Sequence, residues 1–329
     1  KSNTEVAAES RSMHKCQGFG SVGTRGPEME YLELLKGEMP TNKTDIFEGI
    51  NTTWTRVKGG APIGTLLKKV EDNYQHDNPA ASIADLAKAY QMIKALPDGY
   101  WKRVKQAEIE KVIQACAGLY TEAVADDYSA TPGESVELTV EIINRSPAKV
   151  QLKTIDFLPV DQDTAFNMAL ENNTVLRFSK PITLPKDIDF TSPYWLNKQW
   201  ELGMYTVEDQ LMRGVPTTPR SFKVQYQIEV EGVPMTISKD VVYKRRDPVK
   251  GEVWRPFEVT PKIFANIESP VYVLADDAPK MVKVLLKSGK ADVAGKVTLA
   301  HPNGWRIEPE FIDFSLSLKG EEKNVEFML

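Results

Sequence analysis

The sequence predicts a multi-domain protein of the α plus all-β class, with an N-terminal helical region followed by two antiparallel β-sandwiches. Between Ala61 and Ala125, apolar side chains recur every three or four residues, which indicates amphipathic helices. From Val136 to Ile142, apolar and polar residues alternate strictly, which indicates a half-buried strand. Similar strands separated by Pro and Gly turns continue to Leu329, and this spacing is typical of immunoglobulin-like sandwiches.

We expect four segments along the 329 residues. Residues 1–60 form an irregular arm, residues 61–125 a three-helix region, residues 126–250 a first β-sandwich and residues 251–329 a second. The polar segment Lys244 to Glu252, which contains a proline, is interpreted as the boundary between the two sandwiches.

The N-terminal arm begins with a predicted helix over residues 4–16. A Gly-rich connection follows, and the apolar stretch Glu30 to Leu35 is compatible with either a strand or a helix. The segment from Asp45 to Val57 is predicted to anchor the arm onto a larger body. The anchoring side chains would be Ile46, Phe47, Ile50 and Trp54.

Three amphipathic helices are predicted next, and their short connections indicate an antiparallel bundle. The first starts at Ala61 with Pro62 in its first turn. The second starts at Ser82, where Asp85 completes a capping-box pattern. The third follows Asp98 as a potential cap. Its apolar stripe runs through Ile109, Ile113, Cys116, Leu119, Tyr120 and Val124.

Turn signals flank the alternating segment Val136 to Ile142, with Pro132-Gly133 before it and Asn144 to Pro147 after it. We therefore expect it to open an antiparallel β-domain as one arm of a hairpin. A second hairpin is predicted from Phe222 to Val230, turning at Gly232.

The net charge of −5 and the sequence pI near 5.5 argue against a nucleic-acid partner or an anionic membrane surface. No apolar run is long enough to span a bilayer. Cys16 and Cys116 are not in a C-x-x-C pair, so they predict no structural zinc site. Two buried free thiols are favoured over a disulfide between them.

No pattern of nucleophile, base or metal ligands is visible, and an enzyme site would have to be assembled from scattered residues. His301 lies in an Asn-Gly turn sequence, and the pairs Asp126-Asp127 and Asp276-Asp277 are interpreted as solvated loop charges. A group of aromatic residues is the candidate ligand contact. Its side chains either stack on sugar rings or cap the open end of the first sandwich. They are Tyr194, Trp195, Trp200 and Tyr205, with Trp305 as a further candidate.

Several motifs resemble long, exported bacterial proteins of the PIG-L (LmbE-like) N-acetylglucosaminyl deacetylase family. His14-Lys15-Cys16-Gln17 is similar to the His-x-Ser-Gln pattern that ends the catalytic domain of short members, although Cys16 replaces the serine. The segments TPGESVELTVEIINRS, SPYWL and DPVKGEVWRP also resemble the long members. The last segment, GKVTLAHPNGWRIEPEFIDFSL, is similar to a β-sandwich appended to glycan-active enzymes such as alpha-galactosidases.

The resemblance implies that this chain is the non-catalytic remainder of such a protein, with residues 1–60 containing the end of the catalytic domain. The family's zinc ligands, a His-Pro-Asp-Asp-Glu loop and a later His-x-x-His, do not occur here. Zinc is therefore expected only in the upstream catalytic domain, which would be the partner, with glycan as ligand and an extracytoplasmic location. The alternative is a freestanding carbohydrate- or protein-binding β-sandwich protein.

Overall fold

The computed structural model describes residues 1–42, 44–160, 162–274 and 278–329. These residues divide into two compact units, Lys1–Thr53 and Trp54–Leu329. Helices in the N-terminal part are followed by many strands in several sheets, so the α plus β class is confirmed. Among the described residues, no helix combines the length and the apolar character that crossing a bilayer requires.

The first unit begins with helix α1, Asn3–Ser12, which is shorter than the predicted 4–16. A capping box starts it: the Ser2 hydroxyl accepts a hydrogen bond from the Glu5 backbone N–H, and the Glu5 carboxylate accepts one from the Ser2 N–H at 2.9 Å. The Gly-rich connection runs back along this helix. A Cβ atom at Gly23 would lie 2.9 Å from the Glu5 Cα, so only glycine fits this close approach.

The rest of the first unit bears on two predictions. Glu30 to Leu35 forms neither strand nor helix, and its apolar side chains are exposed. Ile46, Phe47 and Ile50, the predicted anchoring side chains, are also exposed, and they form no buried core within the first unit. The apolar residues alone could not predict the structure of these segments, because a short apolar run does not distinguish the period of a helix from that of a strand.

Helices α2, Ala61–Asp72, α3, Ile83–Lys94, and α4, Tyr100–Cys116, open the second unit and confirm the predicted helical region. Helix α3 packs against both α2 and α4. Trp54, in a 3₁₀ turn, packs against α2, where a Cβ at Gly64 would lie 3.1 Å from the Trp54 side chain. The buried side chains of these helices include Ile63, Ile83, Leu86, Tyr90, Ile93, Ile109 and Ile113.

Ser82 occupies the cap position of α3, but the predicted capping box is absent, and the predicted cap of α4 is wrong. The Ser82 side chain makes no capping hydrogen bond, and Asp85 instead forms an ion pair with Lys69 at 2.9 Å. Gly99, and not Asp98, occupies the cap position of α4, while Asp98 pairs with Lys102. A 3₁₀ turn over Pro79–Ser82 already supplies the entry to α3.

The third helix also ends earlier than its predicted stripe. It stops at Cys116, and Gly118 follows with a φ of +55°, a conformation that glycine adopts readily. The chain then forms strand β1, Tyr120–Ala125, so Tyr120 and Val124 belong to a sheet. Their separation of four residues fits both one face of a helix and one face of a strand, which explains the error.

Nine strands of the second unit form two main sheets. The first sheet contains β1 together with β3, Ser135–Ile143, β6, Val175–Thr183, β9, Val242–Asp247, and β10, Gly251–Pro256. The second contains β4, Val150–Leu158, β5, Gln162–Ala169, β7, Lys223–Val230, and β8, Val233–Asp240. The first, five-stranded sheet has the order β10-β9-β1-β3-β6, in which β1 pairs antiparallel with β3 and parallel with β9. The second, four-stranded sheet is antiparallel and has the order β5-β4-β7-β8.

The alternation of Val136 to Ile142 is confirmed as a strand, but the predicted opening hairpin is wrong. Strand β3 lies in the five-stranded sheet and β4 lies in the four-stranded sheet. The segment Asn144 to Pro147 therefore carries the chain from one sheet to the other. This crossing lets the inward side chains of both strands join one buried cluster. That cluster includes Leu138, Val140, Ile142, Leu152, Ile155 and Phe157.

The hairpin around Gly232 is confirmed, since β7 and β8 pair through a two-residue turn at Glu231 and Gly232, both with positive φ. The boundary predicted at Lys244 to Glu252 is corrected, because this segment forms the β9–β10 hairpin within the five-stranded sheet. Asp247 shapes its turn by accepting hydrogen bonds from the N–H groups of Val249 and Lys250. These two bonds hold the pKa of Asp247 below its usual value.

A short parallel pair, β2, Ser129–Ala130, and β11, Glu258–Val259, precedes the C-terminal sheets. Strands β12, Ile263–Ile267, β13, Met281–Ser288, and β16, Glu322–Met328, form a three-stranded sheet. Strands β14, Val293–Val297, and β15, Ile312–Leu316, form a two-stranded sheet. They enclose a second, smaller core. Its buried members are Val282, Val284, Leu286, Phe314, Leu316, Val325 and Phe327.

Lys319 connects this C-terminal part to the segment before β3. Its ammonium group forms an ion pair with Asp127 at 2.7 Å and donates to the Ser129 carbonyl oxygen. The same ammonium lies 4.9 Å from the centre of the Tyr128 ring. Asp127 is therefore an ion-pair partner and not the freely solvated charge that was predicted.

Candidate functional site

The aromatic residues singled out from the sequence lie mainly in the long connection between β6 and β7, residues 184–222, which we call the aromatic loop. Two 3₁₀ turns interrupt it, Tyr194–Leu196 and Gln210–Met212. Its start is tied to β11, because the Thr191 N–H donates to the Val259 carbonyl oxygen at 2.8 Å and the Val259 N–H donates to the Thr191 hydroxyl at 2.9 Å. The loop therefore has a fixed base.

Tyr194 forms part of that base. Its N–H donates to the Thr218 hydroxyl at 2.9 Å, and its phenol donates to the Val215 carbonyl oxygen at 3.0 Å. The ring packs edge-on against Trp195, with 5.0 Å between centroids. Both side chains are half-buried, so they contribute to the internal structure of the loop.

Trp200 and Tyr205 have a different environment. They flank a tight turn in which Glu201 and Met204 exchange two backbone hydrogen bonds of 3.1 Å, with Gly203 at a φ of +81°. Trp200 is 54% exposed and Tyr205 is 57% exposed. This turn therefore presents two large aromatic side chains to solvent from adjacent points of the backbone.

Trp305 lies on another element, in the C-terminal β-unit between β14 and β15. The Trp305 N–H closes a turn onto the Pro302 carbonyl oxygen at 3.4 Å, and Gly304 has a φ of +88°. This confirms the Asn-Gly turn predicted after His301. The structure thus packs Tyr194 against Trp195, puts Trp200 and Tyr205 on either side of one turn, and places Trp305 in a separate part of the fold.

The remaining sequence candidates that the structure describes are His301, Asp126, Asp127, Cys16 and Cys116. In the described parts of the chain, no cluster of three or more His, Cys, Asp or Glu side chains could hold a metal ion. Asp276 and Asp277 lie outside the described residues. Cys16 and Cys116 are free thiols, but Cys16 is exposed, which corrects the prediction that both are buried. Burial raises the pKa of the half-buried Cys116 thiol.

The sequence reasoning missed a charged cleft of about 290 Å³ on the outer face of the five-stranded sheet. Glu122 on β1 lies there, opposite Glu141 on β3 and with its Oε2 2.8 Å from Lys244 Nζ on β9. This ion pair raises the pKa of Lys244. In the sequence, Glu122 stands at every second position with Tyr120 and Val124, which would place all three on one face of a strand. This pattern was overlooked because these residues were assigned to a helix.

Two tyrosines near this cleft have raised pKa values, so we expect them to lose their protons at a higher pH than an ordinary tyrosine. Burial, followed by the interaction with the Glu122 carboxylate, raises the pKa of Tyr120 to about 12. Burial raises the pKa of Tyr226 as well, and the negative charge of Glu122 adds to this effect. Because the folded-state pKa exceeds the unfolded value of about 10, this stabilisation is complete below that pH and is lost as the pH rises through the folded values.

We therefore expect the stability of the protein to fall between about pH 10 and pH 12, with late tyrosinate formation in an ultraviolet absorbance titration. Tyr120→Phe should remove one late-titrating group. Tyr100→Phe, a change at an exposed tyrosine of α4, is the matched control and should leave the late component intact. An unchanged late component in Tyr120→Phe would contradict the assignment.

Comparison with known proteins identifies no family. No protein-family model matches the chain, and no curated protein matches it significantly. Among solved structures it is similar to Spo0M, a sporulation control protein from Bacillus subtilis, with 12% identity over 64% of this chain and 90% of that chain and a TM-score of 0.21.

The chain is also similar to the Pseudomonas fluorescens alkylpurine DNA glycosylase AlkC bound to DNA containing an abasic site analog. Identity is 10% over 53% of this chain and 50% of that chain, with a TM-score of 0.19. Both TM-scores are too low to indicate a shared fold. These comparisons provide no support for the resemblance to PIG-L deacetylases.

Proposed function

We propose that the chain is a non-catalytic binding module whose aromatic loop contacts glycan. The exposed pair Trp200 and Tyr205 supports this proposal. Flat aromatic side chains stack on the apolar faces of sugar rings, and a rigid base lowers the entropy lost on binding. The hydrogen bonds of Thr191 and Tyr194 supply such a base.

The same proposal includes an immunoglobulin-like arrangement of the two main sheets. It is supported by the single buried cluster that the sheets share and by the chain crossing between them at Asn144 to Pro147. Such frameworks commonly present binding residues on loops at their ends. In this view the aromatic loop is the functional segment and the sheets hold it in place.

The parent protein would be a PIG-L-like, zinc-dependent glycan deacetylase outside the cytoplasm, with this chain as its accessory region. This part of the proposal rests on the motif at His14 to Gln17 and the later segments that resemble the family. It is tested by reading the gene upstream of Lys1. A His-Pro-Asp-Asp-Glu segment there would support the accessory role, and its absence would favour the freestanding binding protein.

The glycan contact is tested with Trp200→Ala and Tyr205→Ala in a glycan array followed by titration of the best ligand. We expect each change to weaken binding by about fivefold, because losing one stacking contact costs about 1 kcal/mol. The melting temperature should change little, because both side chains are mostly exposed.

Trp254→Ala is the matched control, since Trp254 is 48% exposed on β10 and lies outside the aromatic loop. It should bind glycan as the parent chain does. Equal weakening by Trp254→Ala, or no glycan binding by the parent chain in a broad screen, would refute the proposal. The half-buried Tyr194 and Trp195 would then have only a structural role, and the chain would act as a spacer.

A further inference from the structure

Four charged side chains cross the outer face of the five-stranded sheet on adjacent strands. Lys244 lies on β9, Glu122 on β1, Glu141 on β3 and Arg177 on β6. Glu122 is directly opposite Glu141, and Glu141 is directly opposite Arg177. Two carboxylates thus meet at the centre of the row. Like charges opposite each other on neighbouring strands are destabilising unless a cation lies between them.

Glu122 is the unusual member of this row. Its side chain is only 7% exposed. Oε2 accepts from Lys244, but Oε1 is buried and no described residue donates to it with hydrogen-bond geometry. The Tyr120 phenol interacts with the same carboxylate without supplying such a bond to Oε1. A buried carboxylate oxygen without a donor costs free energy that a ligand N–H could recover. This oxygen therefore indicates where a ligand would bind.

The position of Glu122 is well fixed. Its carbonyl oxygen accepts a hydrogen bond of 2.6 Å from the buried phenol of Tyr226 on the other main sheet. Strand β1 is also paired on both sides, with β3 and β9. The carboxylate is thus held in place before any ligand arrives, which favours binding.

The chemistry of the cleft selects the kind of cation. Three carboxylates and two cationic side chains line it, so one negative charge is in excess. Calcium needs six to eight oxygen ligands, and Lys244 and Arg177 would repel a divalent ion. A primary ammonium carries one charge and three N–H donors, which matches two facing carboxylates. The volume of about 290 Å³ suits a small organic molecule.

We propose that this cleft binds a small organic compound through a primary ammonium group, which donates hydrogen bonds to Glu122 Oε1 and to the Glu141 carboxylate. Arg177 and Lys244 border the same cleft, where they can donate hydrogen bonds to an electronegative group elsewhere on the compound. The site is independent of the aromatic loop, and no residue of that loop contributes to it.

The test is an NMR titration of the full chain with four probes: n-butylammonium, n-butanol, tetramethylammonium and calcium. We expect saturable shifts of the Glu122, Glu141 and Lys244 amides with n-butylammonium alone. n-Butanol has a similar size but no charge, and tetramethylammonium has the charge but no N–H. A comparable response to either of them, or binding of calcium in place of the ammonium, would overturn the proposal.

Glu122→Gln should weaken n-butylammonium binding at least tenfold, and Glu141→Gln provides a second change at the same cleft if the first variant folds poorly. Glu137→Gln is the matched control, because Glu137 lies exposed on β3 outside the cleft. It should bind n-butylammonium as the parent chain does. No saturable binding by the parent, or equal weakening in the control variant, would also overturn the proposal.

Discussion

Tyr226→Ala is expected to lower the free energy of unfolding by about 3–5 kcal/mol, the range for removing a large aromatic side chain from a core. Tyr226 lies on β7 and is fully buried, with 0% exposure. Its phenol also donates the 2.6 Å hydrogen bond to the Glu122 carbonyl oxygen, which links the four-stranded sheet to β1 of the five-stranded sheet. The truncation therefore removes both packing and a bond between sheets.

Urea denaturation followed by far-ultraviolet circular dichroism measures this loss. Tyr226→Phe keeps the ring and removes only the hydroxyl, so it should cost about 1 kcal/mol. Tyr205→Ala removes an exposed tyrosine and should change the free energy by less than about 0.5 kcal/mol. A loss in Tyr226→Ala no larger than in Tyr205→Ala would show that the two sheets do not pack around this residue.

Asn144→Ala is expected to lower the free energy of unfolding by about 3 kcal/mol, because it leaves several buried polar groups without partners. Asn144 is 1% exposed at the crossing between the two main sheets. Its amide nitrogen donates to the carbonyl oxygens of Ala148 at 3.0 Å and Leu170 at 3.2 Å. Its amide oxygen accepts from the N–H and the hydroxyl of Ser146.

Asn172→Ala is the control for this change, since Asn172 has an exposed side chain and pairs with Asn144 through the backbone only. It should leave the urea midpoint nearly unchanged. If Asn144→Ala also left the urea midpoint nearly unchanged, the side chain of Asn144 would not stabilise the crossing, and backbone pairing alone would do so. Asn144 also heads an N-x-S sequon, and its burial makes it unavailable for glycosylation in the folded protein.

Regular hydrophobic periods in the sequence were sufficient to predict α2, α3 and the strand character of β3. In each of them the buried and half-buried apolar side chains repeat often enough to exclude the other period. The β7–β8 hairpin was predictable for the same reason, with Gly232 marking the turn. The exposed aromatic turn was only partly predictable. The residue types identified Trp200 and Tyr205 as candidates, but they did not show that these two are exposed while Tyr194 and Trp195 are half-buried.

The sequence by itself thus determined that helices precede strands, and which side chains of α2, α3, β3 and β7 face a core. Only the tertiary structure decided which strands pair, that β3 and β4 lie in different sheets, and that β1 is a strand at all. It also brought Glu122 to Lys244, which is 122 residues away along the chain. The physical reason is that periodicity reports only which side of an element is buried, whereas pairing and charge clusters depend on contacts between distant segments.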